Sequence, residues 1–247
     1  MTEISHRWSA GRSGVAVAPP LRVRMRSVTH LGPGRPRLEP RRRQGQTPRA
    51  EILDAAAELF TTNGYASTST RGIADAVGIR QASLYHHFAA KDDILDALLG
   101  ETVGAALELG GQLSDRPEPA LVRLYALALF DARQLCTSRW NLGALYLLPE
   151  LRSPRFEQFR LRRDELRGHY ERLAAQAQAG TDAVPGAYVL PFRLVETVIN
   201  IRSDDGSAPE YAEHLIPRAV LHLLGYRGDP DEIATAAAEL LDVLGRS

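Results

Sequence analysis

Residues 64–88 read GYASTSTRGIADAVGIRQASLYHHF, and the fold is decided there. Ser67, Thr68 and Ser69 offer an N-cap for a short helix that carries Ile73, Ala74 and Val77 and that Gly78 ends. Ile79-Arg80 is a turn, and a second short helix is predicted over Gln81 to Phe88, with Leu84 and Phe88 four apart on its inner face. Two helices of about eight residues cannot each bury a full face alone, so both must pack on a third. The spacing Ala74, Gly78, Leu84 is that of a helix-turn-helix: a small residue lets the second helix approach, a glycine makes the turn, and a leucine anchors the second helix. The outer face, Gln81, Ser83, Tyr85, His86 and His87, is left to solvent or a partner. It can donate to phosphates and base edges without bringing an acid to DNA.

The third helix lies just upstream. Thr47 is an N-cap, Pro48 occupies the first helical position, and Ile52, Leu53, Ala56, Leu59 and Phe60 form one apolar face before Asn63-Gly64 stops the helix. From Pro48 to Leu99 the chain resembles the amino-terminal DNA-binding domain of the TetR family of bacterial regulators. The resemblance rests on the Gly-Tyr after the first helix, the Thr-Ser before the second, and Leu-Tyr-His-His-Phe followed by Lys91. It implies a three-helix reader whose third helix enters the major groove, in a homodimer bound to a pseudo-palindromic operator in double-stranded DNA. By the same resemblance Thr68, Ser69 and Arg71 lie near the backbone, Gln81, Ser83, Tyr85 and His86 face the groove, and Tyr85, His87 and Lys91 help hold phosphates. Arg80 stands where the family usually has a Ser or Thr cap, so a cap worth about 1 kcal/mol is expected to be missing. Its guanidinium is free in principle to reach a phosphate or a guanine. Ala82 stands where Gly is frequent, which stiffens the helix and limits close backbone approach.

The 30 basic and 30 acidic side chains cancel, but their distribution is uneven. Residues 1–49 hold eleven arginines against Glu3 and Glu39, and Leu31 to Gln46 shows no apolar period. A disordered Arg-rich tail over residues 1–46 is therefore expected. Composition leaves open whether it is a DNA-backbone arm, through Arg35, Arg37, Arg41, Arg42 and Arg43, or an idle extension preceding a true start at Met25. Residues 50–99, by contrast, hold Arg71, Arg80 and Lys91 against seven acids. Affinity for DNA must then come from placement, helix N-termini or the tail. A single cysteine, Cys136, excludes an internal disulfide and fits a reducing compartment. The longest nearly apolar stretch, Ala120 to Phe130, contains Arg123 and is far shorter than the roughly 20 residues of a spanning helix. No membrane span is expected, and the cytoplasm is the expected location.

Beyond Lys91 every pattern is helical. Asp92 and Asp93 start a helix whose stripe runs from Ile94 through Leu107, Leu121 to Cys136 is apolar almost all round, and Phe156 to Ala177 marks a long amphipathic helix. Its other face, with Arg160, Arg162, Asp164, Arg167 and Glu171, reads as solvent-facing, and Glu165 with His169 as a surface ion pair. Pro191 marks a start or kink before Phe192, Val195 and Ile199. Ser207 with Glu210 reads as a capping box for a helix containing Leu215, Ala219 and His222, and Asp229-Pro230 opens a last helix that Gly245 stops. The fold class is all-α, with a helix-turn-helix DNA-binding domain over residues 47–92 and a larger helical domain over residues 93–247. The chain lacks G-x-S-x-G, H-E-x-x-H, Walker and G-x-G-x-x-G patterns, so neither enzyme nor cofactor is expected. Nor is a metal site, since adjacent helical residues such as His86 and His87 point about 100° apart. The family resemblance implies dimerisation through the penultimate helices and a pocket for a small-molecule effector, apolar or amphipathic. Tyr125, Trp140, Tyr146 and Phe156 are the expected lining. The sequence thus describes a transcription regulator, most simply a repressor released by its ligand. An effector-independent architectural or chromosome-associated DNA-binding protein is the alternative.

Overall fold

The computed structural model describes residues 47–179 and 181–246. The expected tail, residues 1–46, lies outside the described residues. All regular structure among those residues is helical.

Three helices build the amino-terminal unit: α1 (Pro48–Thr62), α2 (Thr70–Val77) and α3 (Gln81–Tyr85). Local chemistry sets their ends. The Thr47 side chain accepts from Ala50 N at 3.2 Å, the Ser69 side chain accepts from Gly72 N at 3.0 Å, and Gly78 turns the chain out of α2 at φ 77°. Ile52, Ala56, Ile73, Ala74 and Leu84 are fully buried where the three helices meet. The segment after α1 is stapled downward. Tyr65 sets its ring edge-on against Phe60 with centroids 5.0 Å apart, and its hydroxyl donates to Asp92.

Helix α3 is shorter than the sequence predicts, ending at Tyr85 instead of Phe88. Phe88 N still bonds Leu84 O at 3.0 Å, but the chain must then turn so that Phe88 is buried and α4 (Lys91–Ser114) can begin. Asp93 accepts from Ala90 N at 2.9 Å, which fixes that start.

Around α5 (Ala120–Thr137) are wrapped α4, α6 (Glu157–Gln178), α7 (Pro191–Asp205), α8 (Ala212–Leu223) and α9 (Pro230–Val243). Residues 122–129 of α5 are all buried, in keeping with its nearly uniform apolar sequence. Two arginines cap carbonyls that helix ends leave open. Arg123 donates to Leu113 O and Ser114 O at the end of α4, and Arg202 donates to Leu135 O and Ser138 O at the end of α5.

Several local expectations are corrected. The helix expected after Ser207 starts at Ala212 and has no side-chain cap, because Pro209 disfavours a helical conformation at Ala208. Its buried face is Ala212, Ile216, Val220 and Leu221, so Leu215 points outward. His169 is not part of a surface pair with Glu165. It is buried against Gly110, with Nδ1 2.9 Å from Ser114 Oγ and 3.0 Å from Arg172 Nη2. Burial, then the Arg172 charge, lowers its pKa. Arg160 is likewise engaged, donating to Leu151 O and Ser153 O. These carbonyls belong to a run of short 3-10 helices, Leu142–Leu147, Pro149–Arg152 and Pro154–Phe156, that no sequence period announced.

Candidate functional site

The outward face of α2 and α3 is the first candidate. Leu84 is fully buried, and this pins α3 so that Gln81, Tyr85, His86 and His87 are exposed and Ser83 is partly so. A polar cluster ties this face to α2. Gln81 Nε2 donates to Thr70 Oγ1 at 3.0 Å, and Thr70 Oγ1 lies 3.1 Å from the Tyr85 hydroxyl. The groups are thus held in place without a partner, which lowers the entropy lost on binding. Thr70 escaped the sequence reading because Ser69 before it already supplies the cap. Arg80 at the N-cap of α3 makes no side-chain cap, as its departure from the family pattern predicts, and stays exposed. Ser69 and Arg71 are exposed beside it, and Arg71 meets Asp75 at 4.0 Å, a contact worth little between two solvated groups.

Two residues expected at this face are used elsewhere. Thr68 is buried, its hydroxyl placed 3.1 Å from Leu59 O and 2.9 Å from Gly64 O. Lys91 donates to Tyr65 O at 2.8 Å and Thr68 O at 3.0 Å, with its ammonium 4.1 Å from the Tyr65 ring centroid. Both close the segment between α1 and α2, so they shape the surface from behind.

The second candidate is a set of adjoining cavities in the helical region. One, of about 210 Å³, lies between α4, α5, α7 and the chain after α5, with Thr102, Gln134, Trp140, Asn141 and Arg202 among its walls. A second, of about 390 Å³, opens between the 3-10 run, α6 and α7, where Tyr146, Arg163, Arg193, Glu196 and Asn200 line it. A narrow cavity bordered by Thr102, Asp131, Tyr146, Arg163 and Glu196 adjoins both. Of the four expected aromatics, Trp140 and Tyr146 therefore come together around these spaces. Tyr125 and Phe156 line none of the three and are about 1% exposed, packed as core. The walls are more polar than the aromatic supply suggested, because Arg163 of α6 and Glu196 of α7, which the sequence reading did not single out, turn inward as a pair. Arg163 Nε donates to Glu196 at 3.1 Å, and the guanidinium lies 5.2 Å from the Tyr146 and Phe192 centroids.

The cavities and the outward face are physically connected. Thr102, which borders two of the cavities, is on α4, the helix that starts beside α3. Asp54 of α1 accepts from Arg139 Nη1 at 2.8 Å and from Trp140 Nε1 at 3.1 Å, so one cavity wall is bonded directly to the amino-terminal unit. Arg155 pairs with Asp93 at the start of α4. Among the described residues there is no cluster of three metal-ligating side chains, and no helix is long and apolar enough to cross a membrane.

Comparison with known proteins agrees with this arrangement. Residues 52–98 match the family described as bacterial regulatory proteins, tetR family. The HTH-type transcriptional repressor KstR2 of Mycobacterium tuberculosis is 49% identical over 51 residues, and the match covers 21% of this chain and 26% of that protein. Such curated relatives are thus matched over about a quarter of their length. The crystal structure of Mycobacterium smegmatis AmtR is similar over 82% of this chain and 98% of that one, at 60% identity and a TM-score of 0.80. The structure of KstR2 of Mycobacterium tuberculosis, at 24% identity and a TM-score of 0.60 over 74% of this chain and 95% of that one, shares the fold. With its helix-turn-helix matched by the family model and near full-length similarity to AmtR, the chain belongs to the TetR family of bacterial regulatory proteins.

Proposed function

We propose that this protein is a transcriptional repressor that acts in the cytoplasm as a homodimer on a pseudo-palindromic operator and leaves it when a small amphipathic molecule binds. The observation that carries the DNA-binding half is the exposed face of α3, anchored by Leu84 and braced through Thr70 to α2. Gln81, Ser83, Tyr85 and His86 read base edges, Ser69, Arg71 and His87 contact the backbone, and Arg80 reaches a phosphate or a guanine. Residues 47–92 act as the DNA-binding domain and residues 93–247 as the effector and dimerisation domain.

The release mechanism follows from the connections between the two. Recognition helices of a dimer must meet major grooves about 34 to 36 Å apart, so a small tilt of α4 takes both off register. A ligand in these adjoining cavities acts on α4 through Thr102, either directly or through the Tyr146 hydroxyl bonded to it, and through Trp140 on Asp54 of α1. Typical coupling of this kind is about 1 to 3 kcal/mol and is reciprocal, so operator DNA must weaken ligand binding by the factor by which ligand weakens DNA binding. Selection from random duplex DNA by the full chain tests the first half. Enrichment of a pseudo-palindrome with half-sites one helical turn apart is expected. Recovery of unrelated sequences would leave only non-specific binding.

A further inference from the structure

The acid at the middle of α5 has half of its hydrogen bonding unused. Asp131 is 5% exposed, and its Oδ2 accepts from the Tyr170 hydroxyl at 3.0 Å. Among the described residues no donor reaches Oδ1, and the carboxyl borders the narrow cavity. The groups that could turn to it are committed elsewhere. The Tyr146 hydroxyl donates to Thr102 Oγ1 at 2.6 Å, and Thr102 Oγ1 donates to Leu99 O at 2.6 Å. Arg163, which lines the same cavity from α6, gives Nε and Nη2 to Glu196 of α7, and Arg193 gives Nη1 to Glu196 as well. From α8, Glu213 is held by Arg133. Among the described residues Glu196 thus has two cations and Asp131 has none.

A buried carboxylate without a counter-charge is costly, and it relieves that cost by taking a proton or a cation. Burial, with Glu196 adding to it, pushes the Asp131 carboxyl up to about 7 against the opposing Tyr170 hydrogen bond. The space beside it is about 10 Å³, room for one water-sized group. That excludes a guanidinium or a quaternary ammonium and fits the –NH3+ of a primary amine. The Tyr146 and Phe192 side chains border the same space, each with the Arg163 guanidinium 5.2 Å from its ring centroid. Tyr146, Arg163, Glu196 and Ile199 also wall the larger cavity of about 390 Å³, where an attached apolar body has room beside Leu147.

We propose that Asp131 is the recognition point for the primary ammonium group of an amphipathic alkylamine whose body occupies the cavity between the 3-10 run, α6 and α7. That this amine is the effector rests on the release mechanism proposed above; that it binds does not. The test is calorimetric titration of the full chain with hexylammonium chloride, beside hexyltrimethylammonium and hexanamide at matched ionic strength. One hexylammonium per chain is expected, with affinity about tenfold lower at pH 6 than at pH 8, because the proton and the amine compete for one carboxylate. Hexyltrimethylammonium and the Asp131→Asn variant should each bind at least about tenfold more weakly. Equal binding by the trimethyl compound, unchanged binding by Asp131→Asn, or an affinity independent of pH would overturn the proposal. If Asp131→Asn does not fold, the pH series and the trimethyl comparison on the unaltered chain decide. Operator affinity is read in parallel. Asp131-dependent binding that leaves it unchanged would keep the ammonium site and remove the release mechanism, whereas release by hexanamide alone would do the reverse.

Discussion

Helices α3 and α5 dispose of their polar residues in opposite ways. In α3 a single anchor, Leu84, is buried and the polar side chains are left outside, where Gln81 and Tyr85 are tied to Thr70 and to each other. In α5 ten residues are buried, among them Arg123 and Asp131, and their hydrogen-bond partners arrive from α4 and α6, while among the described residues Arg123 Nε and Asp131 Oδ1 are left without one. An outward face can be altered at small cost to the fold. An inward polar group cannot be altered without changing the balance of the core, and it senses whatever enters that core. This is the division of labour that the proposed ligand-released DNA reader needs.

The contrast can be broken most forcefully at its anchor. Leu84→Ala should cost roughly 2 to 5 kcal/mol in thermal or denaturant unfolding, since the residue is fully enclosed. A cost below about 1 kcal/mol would mean that α3 is not held by its leucine.

Next in size is Asp131→Asn, which sharpens the claim that α5 carries an unbalanced acid. Folding raises the Asp131 carboxyl from 3.8 to about 7, so the folded state prefers the proton. Its favourable contribution is full below the lower value and is lost as pH rises through about 7. The unaltered protein should therefore lose stability relative to Asp131→Asn between about pH 4 and 7, and at pH 8 the variant should be the more stable. A difference that does not vary with pH would contradict this.

Two neighbouring glycines of α4 test packing at finer grain. A Cβ at Gly110 would lie 3.0 Å from the His169 ring, and one at Gly111 would meet nothing within 4 Å. Gly110→Ala should destabilise by about 1 to 3 kcal/mol, while Gly111→Ala should stabilise by up to about 1 kcal/mol through helix propensity. Equal effects would show that His169 moves aside freely. Smaller again is the Asp54 connection. Asp54→Asn should reduce the coupling between ligand and operator by about 0.5 to 2 kcal/mol while ligand affinity in the absence of DNA stays unchanged, measured as the difference between titrations with and without operator.

The same contrast explains what the sequence made legible. Thr47, Ser69, Gly78 and the Ala74, Gly78, Leu84 spacing act within a few residues of where they stand, so the ends of α1 and α2 and the exposed face of α3 follow from neighbours in sequence. Family resemblance assigns Lys91 and Thr68 to DNA, but their hydrogen bonds go to Tyr65 O, Thr68 O, Leu59 O and Gly64 O, carbonyls that become available only once the turn between α1 and α2 has folded. The cavity is harder still to read. Trp140 and Tyr146 line adjoining cavities, but Asp131, Arg163 and Glu196 come from three different helices, and their grouping has no sequence period. The 3-10 run after α5 holds Tyr146 in place, and a three-residue turn repeated over short pieces leaves no amphipathic stripe to detect.

The most direct test compares the selected operator with a scrambled duplex, using the unaltered chain and the Tyr85→Ala/His86→Ala variant in parallel binding titrations and thermal scans. Both side chains are exposed, so unfolding should shift by no more than about 0.5 kcal/mol. Affinity for the operator should fall by at least about tenfold, toward that for the scrambled duplex, because each base-reading side chain removed costs about 1 to 3 kcal/mol. A variant that binds the operator as tightly and as selectively as the unaltered chain would contradict the assignment of this face to DNA.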